Sequence, residues 1–233
     1  MPKPLLLDLF CGAGGAGMGY YKAGFDVIGV DINPQPDYPF KFVQDDAIHV
    51  LDLVSRLGYL ARGTGYRFDA IHASPPCQSS TALTKGTNKG REYPDLIPET
   101  RELLALTGLP TIIENVQGAA VRRDLTLCGE MFGLGVIRHR YFEVDKAKVD
   151  PPKHIPHRGR VRGWRHGKYF DGPYVAVYGK GGGKASVAEA QEAMGIDWTN
   201  NLVSLNEAIP PAYTEYIGTR LLEYLTPNKE GDG

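Results

Sequence analysis

The chain alternates short apolar runs with glycine-rich or polar breaks. Leu5 to Leu9 is apolar except for Asp8, as expected of a strand buried on both faces. Val27-Ile28-Gly29-Val30, Phe40-Lys41-Phe42-Val43, Phe68 to Ala73 and Pro110-Thr111-Ile112-Ile113 predict four more strands. Helical patterns lie between them. One opens at Tyr20-Tyr21-Lys22-Ala23. A second places Ile48, Leu51, Val54 and Leu57 at three-residue spacing, and a third runs from Pro98 to Leu106 with Gly108 after its end. The order predicts an α/β fold: a Rossmann-like, mostly parallel sheet with helices on both faces. Leu127 to Gly133 fits no regular pattern, and Cys128 within it reads as a core residue. Arg138 to Val144 alternates basic and apolar residues like a strand, with Arg138 and Arg140 on one face. Val187 to Met194 reads as a helix stopped by Gly195. Tyr213, Ile217, Leu221 and Tyr224 form one stripe after Pro210-Pro211, predicting a C-terminal helix packed on the first crossover. There are no internal repeats, and Thr226 to Gly233 reads as a frayed tail.

Composition narrows the setting. A chain of 233 residues suits one core domain with a small appendage. The three cysteines, Cys11, Cys77 and Cys128, are odd in number and widely spaced, which favours a reducing compartment over a disulfide framework. The first apolar run is too short for a signal peptide, and no stretch is long enough to span a membrane. A cytoplasmic monomer with no membrane partner is expected. The net charge of −1 hides an asymmetry: Lys146 to Lys184 carries +8 and the remaining residues −9. Such segregation points to a polyanion, or to a solvated loop. Trp164, Tyr169, Phe170, Tyr174 and Tyr178 lie among the basic residues, which suits base stacking with phosphate contact. Gly179 to Lys184 is no P-loop, because Ala185 stands where Ser or Thr is needed; backbone contact with phosphate is the better reading. His154, His157 and His166 come without a set of cysteine or carboxylate ligands, so no metal is expected.

Candidate chemistry gathers at the predicted strand ends. Phe10 to Gly19 is a glycine-rich turn between strand and helix, where backbone passes close to a ligand. Asp31 can bind ribose hydroxyls or serve as a turn acid beside Asn33-Pro34. One of Asp45 and Asp46 can cap the next helix while the other accepts from an adenine amino group. Pro75-Pro76 stiffens the turn that presents Cys77, although alone this reads equally as a buried thiol. Residues 81–95 form a polar loop able to close over a substrate. Glu114, at the end of the fifth strand, can approach Cys77 at the carboxyl edge of the sheet. Arg138 and Arg140 can bind a substrate carbonyl and phosphate, or line a surface strand.

Taken together, these motifs resemble the S-adenosylmethionine-dependent cytosine carbon-5 DNA methyltransferases over nearly the whole chain. Asp8-Leu9-Phe10-Cys11-Gly12-Ala13-Gly14-Gly15 looks like that family's cofactor loop, and Pro75-Pro76-Cys77-Gln78 like its catalytic loop. Glu114-Asn115-Val116 matches the motif of its glutamate. Arg138 and Arg140 match its paired arginines, and Ala208-Ile209-Pro210-Pro211 its last motif. The resemblance implies Cys77 as nucleophile, with Glu114, Arg138 and Arg140 as catalytic partners. It implies S-adenosylmethionine held by Phe10, Gly12, Gly14, Asp31, Ile32, Asp46, Ala47 and Pro76. Double-stranded DNA would be contacted by Gln78, Ser79, Lys85, Arg158, Arg160, Arg162, Arg165 and Lys180. The implied organisation is a catalytic core over 1–145, a short basic recognition region over 146–186, a return to the core over 187–225, and a tail. Three positions depart from the pattern: Val136 stands for the usual Gln, Glu207 for Asn, and Asp31 for Glu. The rivals are a transfer-RNA methyltransferase of the same family, a nicotinamide-dependent oxidoreductase, and a non-catalytic DNA-binding protein.

Overall fold

The strand β1 (Leu5–Leu9) is an interior strand of a seven-stranded sheet in the computed structural model, which describes residues 2–58, 65–76, 95–165, 167–178 and 185–226. Its neighbours are β2 (Asp26–Asp31) and β4 (Ala70–Ala73), both parallel to it. β3 (Lys41–Gln44) flanks β2, and β5 (Thr111–Val116) flanks β4, also in parallel. β7 (Arg140–Asp145) then pairs antiparallel with β5, and β6 (Leu125–Leu127) antiparallel with β7, giving the order β3-β2-β1-β4-β5-β7-β6.

Burial on both faces explains the continuous apolar strands. Leu7 and Leu9 of β1 join Ile71 of β4, Val50 and Leu51 of α2 (Ala47–Leu57) and Leu104 of α3 (Ile97–Thr107) on one face. Leu6 joins Tyr20 of α1 (Gly15–Ala23) and Tyr213, Ile217 and Leu221 of α6 (Pro211–Leu225) on the other. α3 and α4 (Val187–Met194) end at Gly108 and Gly195, as predicted. Two elements escape the sequence pattern. β6 is three residues long, followed by a 3-10 turn at Gly129–Phe132, and α5 (Leu202–Glu207) is a short helix capped by Asn201. A third cluster of Val136, Val177, Ala190, Met194, Ile196 and Leu205 lies where the end of the basic segment meets α4 and α5. Within that segment, β8 (Gly163–Arg165) and β9 (Lys168–Phe170) form a separate hairpin. Among the described residues, no helix is long and apolar enough to cross a membrane.

α6 packs on α1, as its stripe predicts. Contact is so close that a Cβ on Gly19 would lie 2.1 Å from Thr214 Oγ1 and 2.2 Å from the Pro211 carbonyl. A Cβ on Gly218 would meet Ala23 Cβ at 2.7 Å. Thr214 Oγ1 donates to the Ala16 carbonyl at 2.8 Å, tying the two helices where their backbones nearly touch. Gly19→Ala is therefore expected to force the helices apart and cost about 1–3 kcal/mol, as overpacking does. An unchanged denaturant midpoint would show that the interface can give way.

Candidate active site

The carboxyl ends of β1 and β2 shape a tight loop. Phe10, Gly12 and Gly14 have φ of 56°, 48° and 86°, a left-handed path that glycine makes easy. Cys11 N donates to the Val30 carbonyl at 3.1 Å, and Gly14 N to the Cys11 carbonyl at 3.0 Å. Asp31 anchors the turn: Oδ2 accepts from Gly12 N at 3.0 Å and Oδ1 from Asn33 N at 2.9 Å. Among the described residues, nothing beyond its chain neighbours lies within 4 Å of where a Gly12 Cβ would sit, whereas a Cβ on Gly15 would strike the Ile209 carbonyl at 2.2 Å. One side of the loop is thus open and the other is sealed by the segment leading into α6. Ile32 is 63% exposed beside Asp31, an apolar surface suited to a flat base. Asp46 is the N-cap of α2, its Oδ1 accepting from Ile48 N at 2.8 Å, and Ala47 is buried behind it. Asp45 Oδ1 accepts from Asp46 N and faces His49. Capping therefore falls to Asp46. Open space above Gly12, the oriented Asp31 carboxylate and exposed Ile32 fit a nucleoside-bearing cofactor.

Beneath this loop Asp8 is fully buried. Tyr38 OH donates to its Oδ2 at 3.1 Å, while its Oδ1 has no partner among the described residues. Burial pushes its carboxyl from 3.8 up to about 8, against the Tyr38 hydrogen bond. A raised folded-state pKa means stability that is full below about pH 3.8 and lost as pH climbs towards about 8. Asp8→Asn should therefore gain on the wild type across that window in denaturant midpoint. A difference that does not vary with pH would show that Asp8 does not titrate this way.

The second half of the site lies where β4 and β5 end. His72 is fully buried on β4, with Nδ1 3.0 Å from Tyr20 OH and Nε2 2.9 Å from Ser74 Oγ. Burial pulls its imidazole down to about 3, so it stays neutral and serves as a hydrogen-bonding spacer. Asn115 Nδ2 donates to the Pro75 carbonyl at 2.9 Å. This bond joins the β4 turn to the residue next to Glu114. Glu114 is buried in β5, not exposed at a strand end, and its Oε1 lies 2.9 Å from Arg140 Nε. Burial raises its carboxyl pKa, while Arg140, Arg138 and the Ser74 hydroxyl pull it back. Pro76 is exposed at the end of the turn. Cys77, Gln78, Ser79 and Lys85, and the polar loop expected to close over a substrate, lie outside the described residues.

The paired arginines part company. β7 begins at Arg140, and Arg138 precedes it with φ 36°, so the two do not share a strand face as their spacing implied. Arg140 faces Glu114. Arg138 reaches the other way, donating to the carbonyls of Val177 at 2.6 Å, Asn206 at 2.7 Å and Ala208 at 2.6 Å. Burial, and then the charge of Arg140, lower its pKa to about 9. Arg138→Met would leave three carbonyls without their donor and is expected to cost about 3 kcal/mol or more. Wild-type stability in that variant would show that water replaces the guanidinium.

The basic segment is partly braced from within. Arg158 Nε lies 2.9 Å from Glu130 Oε1, and Arg162 pairs with Glu189. Arg160 stacks over Phe170 at 5.3 Å. Trp164 and Tyr169 stand exposed on the hairpin, edge to face at 5.6 Å. The Arg165 side chain and Lys180 lie outside the described residues. The histidines bring an unexpected grouping. His154 and His157 meet Cys128 and His139, supplying the ligand partners that the local sequence lacked; His166 lies outside the described residues.

No protein-family model matches the chain. It is 25% identical over 203 residues to the Type II methyltransferase M.AgeI of Thalassovita gelatinovora, covering 72% of this chain and 47% of the relative. It is 28% identical over 169 residues to the Type II methyltransferase M.HgiDI of Herpetosiphon aurantiacus, covering 71% and 53%. The chain thus spans about half the length of these relatives. A solved structure of S. pombe Dnmt2 methyltransferase superposes with a TM-score of 0.62 at 14% identity, over 96% of this chain and 99% of that one. The fold is that of the Rossmann-like methyltransferases. Within that class, the curated relatives are named Type II methyltransferases, which agrees with the motifs' resemblance to a methyltransferase family.

Proposed function

We propose that this chain transfers a methyl group from S-adenosylmethionine to carbon 5 of cytosine in double-stranded DNA. The observation that carries the reading is the buried Glu114–Arg140 pair, held beside the turn that leads to Cys77 by the bond from Asn115 to Pro75. The cofactor would lie against Gly12, Asp31 and Ile32, and when bound it supplies an electrophilic methyl on a sulfonium. The remaining work belongs to the protein. Cys77 as thiolate would bond to carbon 6 of the base and push electron density to carbon 5. A free thiol, with a pKa of about 8.5, is only a few per cent ionised near neutrality, so the site must activate it. Glu114, biased by burial towards its neutral form, would hydrogen-bond ring nitrogen 3 and favour the addition. Arg140 would hold the base carbonyl. Arg138 would support the site through the backbone it binds. Departure of the carbon-5 proton to water then expels the thiolate and restores the ring.

A protein thiol cannot reach a base stacked within a duplex, so the target must be flipped out at a cost of a few kcal/mol. Exposed Trp164 and Tyr169 with the surrounding basic residues would supply stacking and phosphate contacts. Binding should therefore weaken steeply with salt.

Labelled methyl transfer to DNA and to RNA, followed by nucleoside analysis, tests the reading. The expected product is 5-methylcytosine in DNA. Label in RNA alone would move the substrate to RNA, and binding of a dinucleotide but not of S-adenosylhomocysteine would favour the oxidoreductase. Cys77→Ala should abolish transfer and leave cofactor binding intact. Glu114→Gln should lower kcat by about 10²–10⁴. Turnover surviving in either variant would remove that residue from the mechanism.

A further inference from the structure

Cys128 Sγ and one ring nitrogen from each of His139, His154 and His157 all lie within 4.8 Å of one another. The three imidazole rings converge, with centroids 5.9 Å apart for His139 and His154, 5.4 Å for His139 and His157, and 5.1 Å for His154 and His157. Bond lengths of about 2.0–2.1 Å to nitrogen and about 2.3 Å to sulfur put the corners of a zinc tetrahedron roughly 3.3–3.7 Å apart. Cys128 Sγ and His157 Nε2 are already 3.3 Å apart. Small ring rotations would bring in the rest.

Half of the cluster is held by backbone. Gly129 N donates to the Ile137 carbonyl at 2.7 Å, and a Cβ on Gly129 would meet the Val136 carbonyl at 1.9 Å. This crossing fixes Cys128 close to His139. The other half comes from the opening of the basic segment as a His-x-x-His pair. Outer contacts hold that half in place. The His157 ring meets Tyr174 edge-on at 6.2 Å, the Tyr174 hydroxyl bonds Glu130, and Arg158 pairs with the same carboxylate. These contacts brace the segment around His157 without using its ring nitrogens.

We propose that Cys128, His139, His154 and His157 form a zinc site that fastens the basic segment to the strand carrying Arg140. One thiolate with three imidazoles and no carboxylate suits zinc and not magnesium or calcium. Four protein ligands fill the tetrahedron and leave no position for water or substrate, which makes the ion a clamp and not a catalyst. The site does not depend on the proposed methyl transfer, and its test does not read methylation.

The test uses the full chain, freed of any affinity tag, stripped with a chelator and titrated with zinc alone against a chromogenic competitor. Cobalt then serves as a spectroscopic probe. One zinc per chain is expected, with tetrahedral cobalt bands and a thiolate charge-transfer band that vanishes in Cys128→Ser. Cys128 is buried and its replacement can disturb folding, so the exposed His154 gives the second variant. His154→Ala should keep the wild-type far-ultraviolet spectrum and bind zinc at least about 10- to 100-fold more weakly, since losing even an outer-shell partner costs that much. Zinc should also raise the Tm of the stripped protein. No zinc above background, octahedral cobalt without the thiolate band, or undiminished affinity in His154→Ala would each overturn the proposal.

Discussion

The arrangement depends on one buried guanidinium. Arg138 sits just ahead of β7 and gives its hydrogens to carbonyls of Val177, Asn206 and Ala208. Those carbonyls belong to the end of the basic segment and to the stretch entering α6. A neutral side chain could not satisfy three carbonyls at once, and a lysine lacks the planar fork that spreads its donors. The guanidinium therefore joins three lengths of chain that the sheet alone would leave independent. Arg140, two residues on, is free to face Glu114 because its neighbour has turned away.

The two halves of the site are built by different physics. The half on β1 and β2 is made of backbone: left-handed turns, an oriented carboxylate at Asp31, and open space over Gly12. The half on β4 and β5 is made of buried side chains. There, His72 is kept neutral, Asn115 binds the Pro75 carbonyl, and Glu114 is balanced between desolvation and two arginines. The backbone half leans on its glycines, since a side chain at Gly15 would strike the Ile209 carbonyl. The buried polar half leans on its pairings, because each unpaired group costs about 1–3 kcal/mol.

Much of this was legible from sequence. Strands buried on both faces advertise themselves as apolar runs, so β1 to β5 fell within a few residues of their predicted places. The α6 stripe, the glycine loop and Asp31 at the end of β2 were equally plain. What escaped were relations across the sheet. Nothing local marks Arg138 as a binder of carbonyls, and its spacing from Arg140 gave the wrong impression of a shared strand face. His72 stood in an apolar run with no sign of Tyr20 beside it. Cys128 and His157 are 29 residues apart, and nothing in either local stretch marks their meeting. Short elements such as β6 and α5 carry too few residues to show a period.

The seal on the glycine loop bears on how the protein is made. Trp198 Nε1 bonds the Ala13 carbonyl, Thr214 bonds Ala16, and Ile209 lies against Gly15. A loop close to β1 is thus completed by residues nearly two hundred positions further along the chain. A nascent chain can pair β1 with β2 and β4 early, but its loop must wait, unsealed, until α6 emerges. Loop-closure entropy over nearly two hundred residues makes that a late event. A ligand that needs the sealed loop would bind only once α6 is in place, and would stabilise the folded state over any form in which that helix is detached.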